Sequence, residues 1–225
     1  GGVNIYPAEI EAVFIMHPRE LLVSHYMVPM LVNAGYACWV QGPRTVGNDL
    51  RLEHEAAIID VAPGVVHLRQ LGFKKIIQLG NSGGAGLFSF YNQQSLLEGA
   101  KRIGKSPGGR PAKLDAVDMP AVDGFIFVAP HPGQGKLLMN CIDPPVTNEG
   151  DPMSIDAALY PFSEENGFRK RPESSSYSAE FLSRYRQAQH ARVARIDQKA
   201  REILANRVAA NMRCHVTGEL APPDQ

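Results

Sequence analysis

Residues 74–91 read KKIIQLGNSGGAGLFSFY, an apolar run, a cluster of glycines and a second apolar stretch. This order predicts a strand, a sharp turn and a helix. The turn fits two chemistries. As G-x-S-x-G it presents Ser82 as a nucleophile, and as G-x-x-x-G-x-G, through Gly80, Gly84 and Gly86, it presents a dinucleotide phosphate loop. The dinucleotide reading needs companions that are missing. None of Tyr91, Tyr160, Tyr177 and Tyr185 has a lysine four residues on, and a loop around Lys105–Arg110 stands where an acidic ribose ligand belongs. Two apparent strands also precede this turn, whereas a cofactor loop normally follows the first.

The serine reading gives each glycine a task. A nucleophile at a tight elbow sits in strained dihedrals and needs small neighbours. Gly80 and Gly84 flank Ser82, and Gly83 adds room. The helix that follows turns its free amides towards the serine, favouring negative charge there. The Gly83 amide is the expected first oxyanion donor. The second is expected from FIMHPRE, after an earlier strand. Pro18 has no N–H, so Arg19 takes that role, with Glu20 behind it, and His17 either holds the loop by hydrogen bonding or packs at the strand end.

Apolar runs at 12–16, 36–40, 74–80 and 124–129 read as strands. Helices are expected around 25–35, from an Asp49 N-cap to Leu71 with a bend at Pro63, over 84–98, and over 177–212. Alternating strands and helices predict an α/β fold, a mostly parallel sheet with helices on both faces. Residues 131–176 read as loops. The chain therefore divides into a leader (1–11), a core (12–130), a cap with a long basic helix (131–213) and a tail (214–225).

FIMHP, YACWVQGPRTVGNDL and IIQLGNSGGAGLFSFY together resemble the α/β-hydrolase family, over about residues 12–213. The resemblance implies a partial hydrolase fold with an inserted helical cap and a serine esterase, lipase or thioesterase-like activity through an acyl-serine. Ser82 carries over as nucleophile and Gly83 as oxyanion donor, while His17-Pro18-Arg19 replaces the usual His-Gly turn. The family's acid and histidine follow the serine on later strands. Here His131 comes too early, His190 lies inside the basic helix, and His215 sits in the tail. Asp143 and Asp151 serve as the acid only in a minority arrangement. The base, and with it the acid, is expected to be missing from a chain incomplete at both ends. Residues 1–12, GGVNIYPAEIEA, separately resemble the C-terminal segment of acyl-CoA synthetases. Two rivals remain open: an inactive hydrolase remnant acting as a binding module, and a synthetase-derived fragment.

Composition narrows the partners. Lys and Arg number 23, as do Asp and Glu, so net charge points to neither nucleic acid nor an anionic membrane. Cys38, Cys141 and Cys214 lack metal-type spacing and suit a reducing cytoplasm. No run reaches the roughly 20 apolar residues of a membrane span. Residues 99–106, GAKRIGKS, spell a phosphate loop but follow a helix end and run into Pro-Gly-Gly, so no nucleotide, cofactor or metal is expected. The basic helix carries Arg184, Arg186, Arg192, Arg195, Lys199, Arg201 and Arg207, read first as a solvated face, with steering of anionic acyl carriers as the alternative. Its stripe of Leu182, Tyr185, Val193, Ile196, Ile203 and Leu204 is expected to pack on the sheet or a partner, a second copy of the chain included.

Overall fold

The computed structural model describes residues 11–48 and 51–217. Residues 1–10 of the synthetase-like leader, the expected Asp49 cap and the last eight residues lie outside them. The chain divides into two compact units, Gly1–Gln134 and Gly135–Gln225.

The first unit is α/β. Strands β1 (Glu11–Met16), β2 (Ala37–Gln41), β3 (Lys75–Asn81) and β4 (Gly124–Val128) form one sheet in the order β2-β1-β3-β4, and every neighbouring pair is parallel. Helices α1 (Met27–Asn33), α2 (His54–Gln70) and α3 (Gly83–Ser95) connect them. The connection β1–α1–β2 runs one way along the sheet; β2–α2–β3 and β3–α3–β4 run the other. Right-handed crossovers then place α1 on one face and α2 with α3 on the opposite face.

The core follows that division. Ala12, Phe14 and Met16 pack with Ile58, Val61, Val65, Leu87, Phe88 and Tyr91, whereas Val13, Ile15 and Leu79 pack with Leu22, Val28 and Leu31. Alternate residues of β1 thus serve opposite faces, the period of two that a strand imposes. Glu11, assigned to the leader from sequence, is instead the first residue of β1, where it pairs with Lys75 at 3.0 Å.

Helix ends fall where glycine permits them. Gly35 (φ 92°) follows α1 and Gly72 (φ 93°) follows α2, both in the left-handed region that a C-terminal cap requires. α2 begins at His54 and continues through Pro63. Behind it, Gly64 lets the helix approach the sheet: a Cβ there would lie 2.4 Å from Gln41 Oε1 and 2.7 Å from Phe14 Cζ. Residues 99–106 enter a short 3-10 turn and then a hairpin, bridged at Lys105–Pro111. That is not the strand-loop-helix context of a phosphate loop.

The second unit corrects the reading of residues 131–176 as loops. It contains helix α4 (Gln134–Cys141, its first residue in the other unit) and an antiparallel pair, β5 (Val146–Asn148) and β6 (Asp151–Ile155), besides the long helix α5 (Ala179–Thr217). These elements are short, and their turn residues hide the periodicity. Gln189 anchors α5 within its unit: it is 1% exposed and donates to the carbonyls of Asn140 and Ile142. Arg192 adds an ion pair with Glu149 at 2.8 Å. No helix among the described residues is long and apolar enough to cross a membrane.

Candidate active site

In a parallel sheet every strand ends on the same edge. Residues 17–19 after β1, 42–48 after β2, Ser82 after β3 and 129–133 after β4 therefore share one rim. β1 and β3 are neighbours whose connections depart in opposite directions, the place where open α/β sheets form a crevice. Ser82 stands beside it.

Ser82 has φ 52° and ψ −116°, a conformation that side chains rarely adopt. It is exposed, its hydroxyl does not cap α3, and its amide donates to the Val128 carbonyl at 2.9 Å. The three nearby glycines are steric necessities. A Cβ on Gly80 would lie 2.5 Å from the backbone of Ala85, and one on Gly84 would lie 2.6 Å from the Met16 carbonyl oxygen. On Gly83 it would lie 2.8 Å from His17 Nε2. The elbow thus closes between β1, β3 and α3 with no space for side chains.

Gly83 opens α3, so its amide has no intrahelical acceptor. The amide of Arg19, the other expected donor, points to His17 Nδ1 at 3.3 Å. Nδ1 thus accepts from the backbone, and Nε2 is the nitrogen nearer Gly83. His17 is 5% exposed. Thr45 fastens the same loop by donating to the Pro18 carbonyl at 2.7 Å, and the Gly47 amide donates to the Arg19 carbonyl at 3.1 Å.

His131 lies on the rim after β4, with Gly133 donating to its Nδ1 at 3.2 Å. It borders a cleft of about 580 Å³ along the first turns of α3, walled by Phe90 and Phe127 with Ser89 and Gln93. His54, at the start of α2, went unnoticed in the sequence, where nothing in its spacing marks it. Burial pushes its pKa down, Glu55 opposes the shift, and the nearby charge of His131 adds to it. No hydrogen bond joins the Ser82 hydroxyl to a histidine among the described residues. His190 is exposed on α5, while Asp143 and Asp151 belong, like it, to the second unit. The side chain of His215 lies outside the described residues. Nor do the described residues include a group of three His, Cys, Asp or Glu side chains placed to hold a metal.

Comparison with protein-family models, curated proteins and solved structures returned no match.

Proposed function

We propose that the first unit is the nucleophile-bearing part of an α/β-hydrolase-type serine hydrolase acting on carboxylic esters or thioesters. The observation that carries this reading is Ser82 itself: an exposed hydroxyl on a strained elbow, at the reversal point of a parallel sheet, with neighbours that must be glycine. Backbone strain of this kind costs about 1–3 kcal/mol and persists where the surrounding structure enforces it.

In the proposed reaction Ser82 Oγ bonds to the carbonyl carbon and its proton passes to a base. The ester C–O or thioester C–S bond then breaks, and the alcohol or thiol leaves with a proton. Water subsequently cleaves the acyl-serine. The Gly83 amide meets the developing oxyanion. Arg19 contributes by exchanging its long contact to His17 for the same oxygen, a small loss at 3.3 Å. The cleft beside Phe90 and Phe127 suits the acyl or alcohol portion.

Without a histidine on Ser82, attack is slow: loss of a triad member costs several orders of magnitude, leaving a residual rate about 10³-fold over water. The test is labelling by a fluorophosphonate, located by peptide mapping. Slow labelling at Ser82, accelerated by added imidazole and abolished by Ser82→Ala, is the expected result. No labelling, with or without imidazole, would favour an inactive binding module. Rapid labelling without imidazole would show that the chain holds its own base, with His131 and His215 the first to substitute.

A further inference from the structure

We propose that a second cleft of the first unit, between the loop after β2 and the 104–112 hairpin, binds the phosphate groups of a phosphorylated ligand of about nucleotide size. The cleft encloses about 610 Å³, within the range of small-molecule sites. Arg44 and Arg51 stand on one wall, Arg110 and Lys113 on the other. Among the described residues Glu53 and Glu55 are the carboxylates of its lining, and Asp60 holds Arg44, so four cations stand against three anions.

The cations differ in how they are held. Arg44 is clasped by Asp60 through Nε at 2.8 and 3.0 Å and Nη2 at 2.5 Å. Arg110 reaches Glu53 through Nη1 at 3.0 Å. Each guanidinium is oriented by its carboxylate and keeps further N–H groups outside the pair. Arg51 and Lys113 have no ion-pair partner among the described residues, and both are exposed. An ordered pair of guanidiniums beside two uncommitted cations suits a multiply charged anion better than an apolar acyl group.

The walls are also fixed to the fold. The hairpin closes through Ser106 N to Arg110 O at 2.8 Å and Ala112 N to Gly104 O at 2.9 Å, and Ala112 is buried in the core. The opposite loop is tied by the Thr45 and Gly47 bonds that also hold residues 18 and 19. Phosphate would be read here by side chains, not by a wrapping glycine loop, which is why the GKS letters are a poor guide to it. A ligand of this size would place its apolar portion against Ala56 and Ile59.

Titration calorimetry on the intact 225-residue chain tests the site, with pyrophosphate, ADP and adenosine as probes. Pyrophosphate and ADP are expected to bind, with affinity falling as salt rises, and adenosine is not. Arg51→Gln with Lys113→Gln should weaken binding about tenfold or more, while circular dichroism confirms an unchanged fold. Ser82→Ala should bind like the parent, so the result does not depend on the hydrolase reading. Equal affinity for ADP and pyrophosphate would identify phosphate as the whole determinant; tighter ADP binding would add the Ala56–Ile59 wall. Unchanged affinity in the double variant, adenosine binding as tightly as ADP, or no binding of either phosphate would overturn the proposal.

Discussion

His17 Nε2 lies 2.8 Å from the point a Cβ would occupy on Gly83, so the loop after β1 and the first turn of α3 meet with nothing between them. The obstacle there is a side chain, whereas at Gly80 and Gly84 it is backbone at 2.5 and 2.6 Å. An imidazole can tilt; a strand and a helix cannot separate cheaply. Gly83→Ala is therefore expected to cost about 1–3 kcal/mol in urea unfolding, and Gly80→Ala and Gly84→Ala more. A Gly83→Ala loss equal to or larger than the other two would mean that His17 is as rigid as the backbone.

Ser82 gives the opposite sign. Its φ of 52° suits glycine, so Ser82→Gly should relieve strain and raise stability by about 1 kcal/mol, part of the gain being lost to glycine's greater freedom when unfolded. Ser82→Ala keeps the strain and should leave stability near the parent's. Both should abolish labelling. A destabilised Ser82→Gly protein would show that the serine side chain supports the fold, which its exposure argues against.

The first unit was legible because its signals are local. Largely apolar runs of five to seven residues, each ended by a turn former, mark all four strands, and GNSGGAG marks the elbow. Sequence could not show that the Arg19 amide turns to His17, because a bond between residues two apart depends on how the loop folds back. It could not find His54, whose surroundings include a loop some 75 residues later in the chain. In the second unit, α4 and the β5–β6 pair have too few residues for periodicity to declare itself.

Gln78 is an internal conflict of the fold. It is fully buried on β3 between Phe14 and Phe125, its partners in register, and neither Nε2 nor Oε1 has a hydrogen-bond partner among the described residues. An unsatisfied buried amide costs about 1–3 kcal/mol. Gln78→Met, close in volume, should therefore raise the urea midpoint by an amount worth about 1 kcal/mol or more. An unchanged or lowered midpoint would show that the amide is satisfied by something else in solution.

Two histidines set the response to mild acid. Burial lowers the pKa of His25, whose Nε2 has no hydrogen-bond partner among the described residues while Nδ1 accepts from the Met27 amide at 3.3 Å. Burial likewise lowers that of His54, with His131 adding to the shift and Glu55 opposing it. In the unfolded chain both titrate at their ordinary value of 6.5, so below it the unfolded state binds more protons than the folded state. Stability is therefore complete above 6.5, falls as pH drops towards the depressed folded values, and stops falling on this account below them. Asp123 acts in a separate window. Burial works against its charged form, but the Ile76 amide at 2.8 Å and Arg69 at 2.7 Å outweigh burial and hold its pKa below 3.8, so its contribution is lost only in stronger acid. Urea unfolding should show lower stability at about pH 5 than at about pH 7.5. His25→Gln and His54→Gln should each flatten that difference, and Asp123→Asn should leave it intact. A pH difference that survives both histidine substitutions would assign it to other groups.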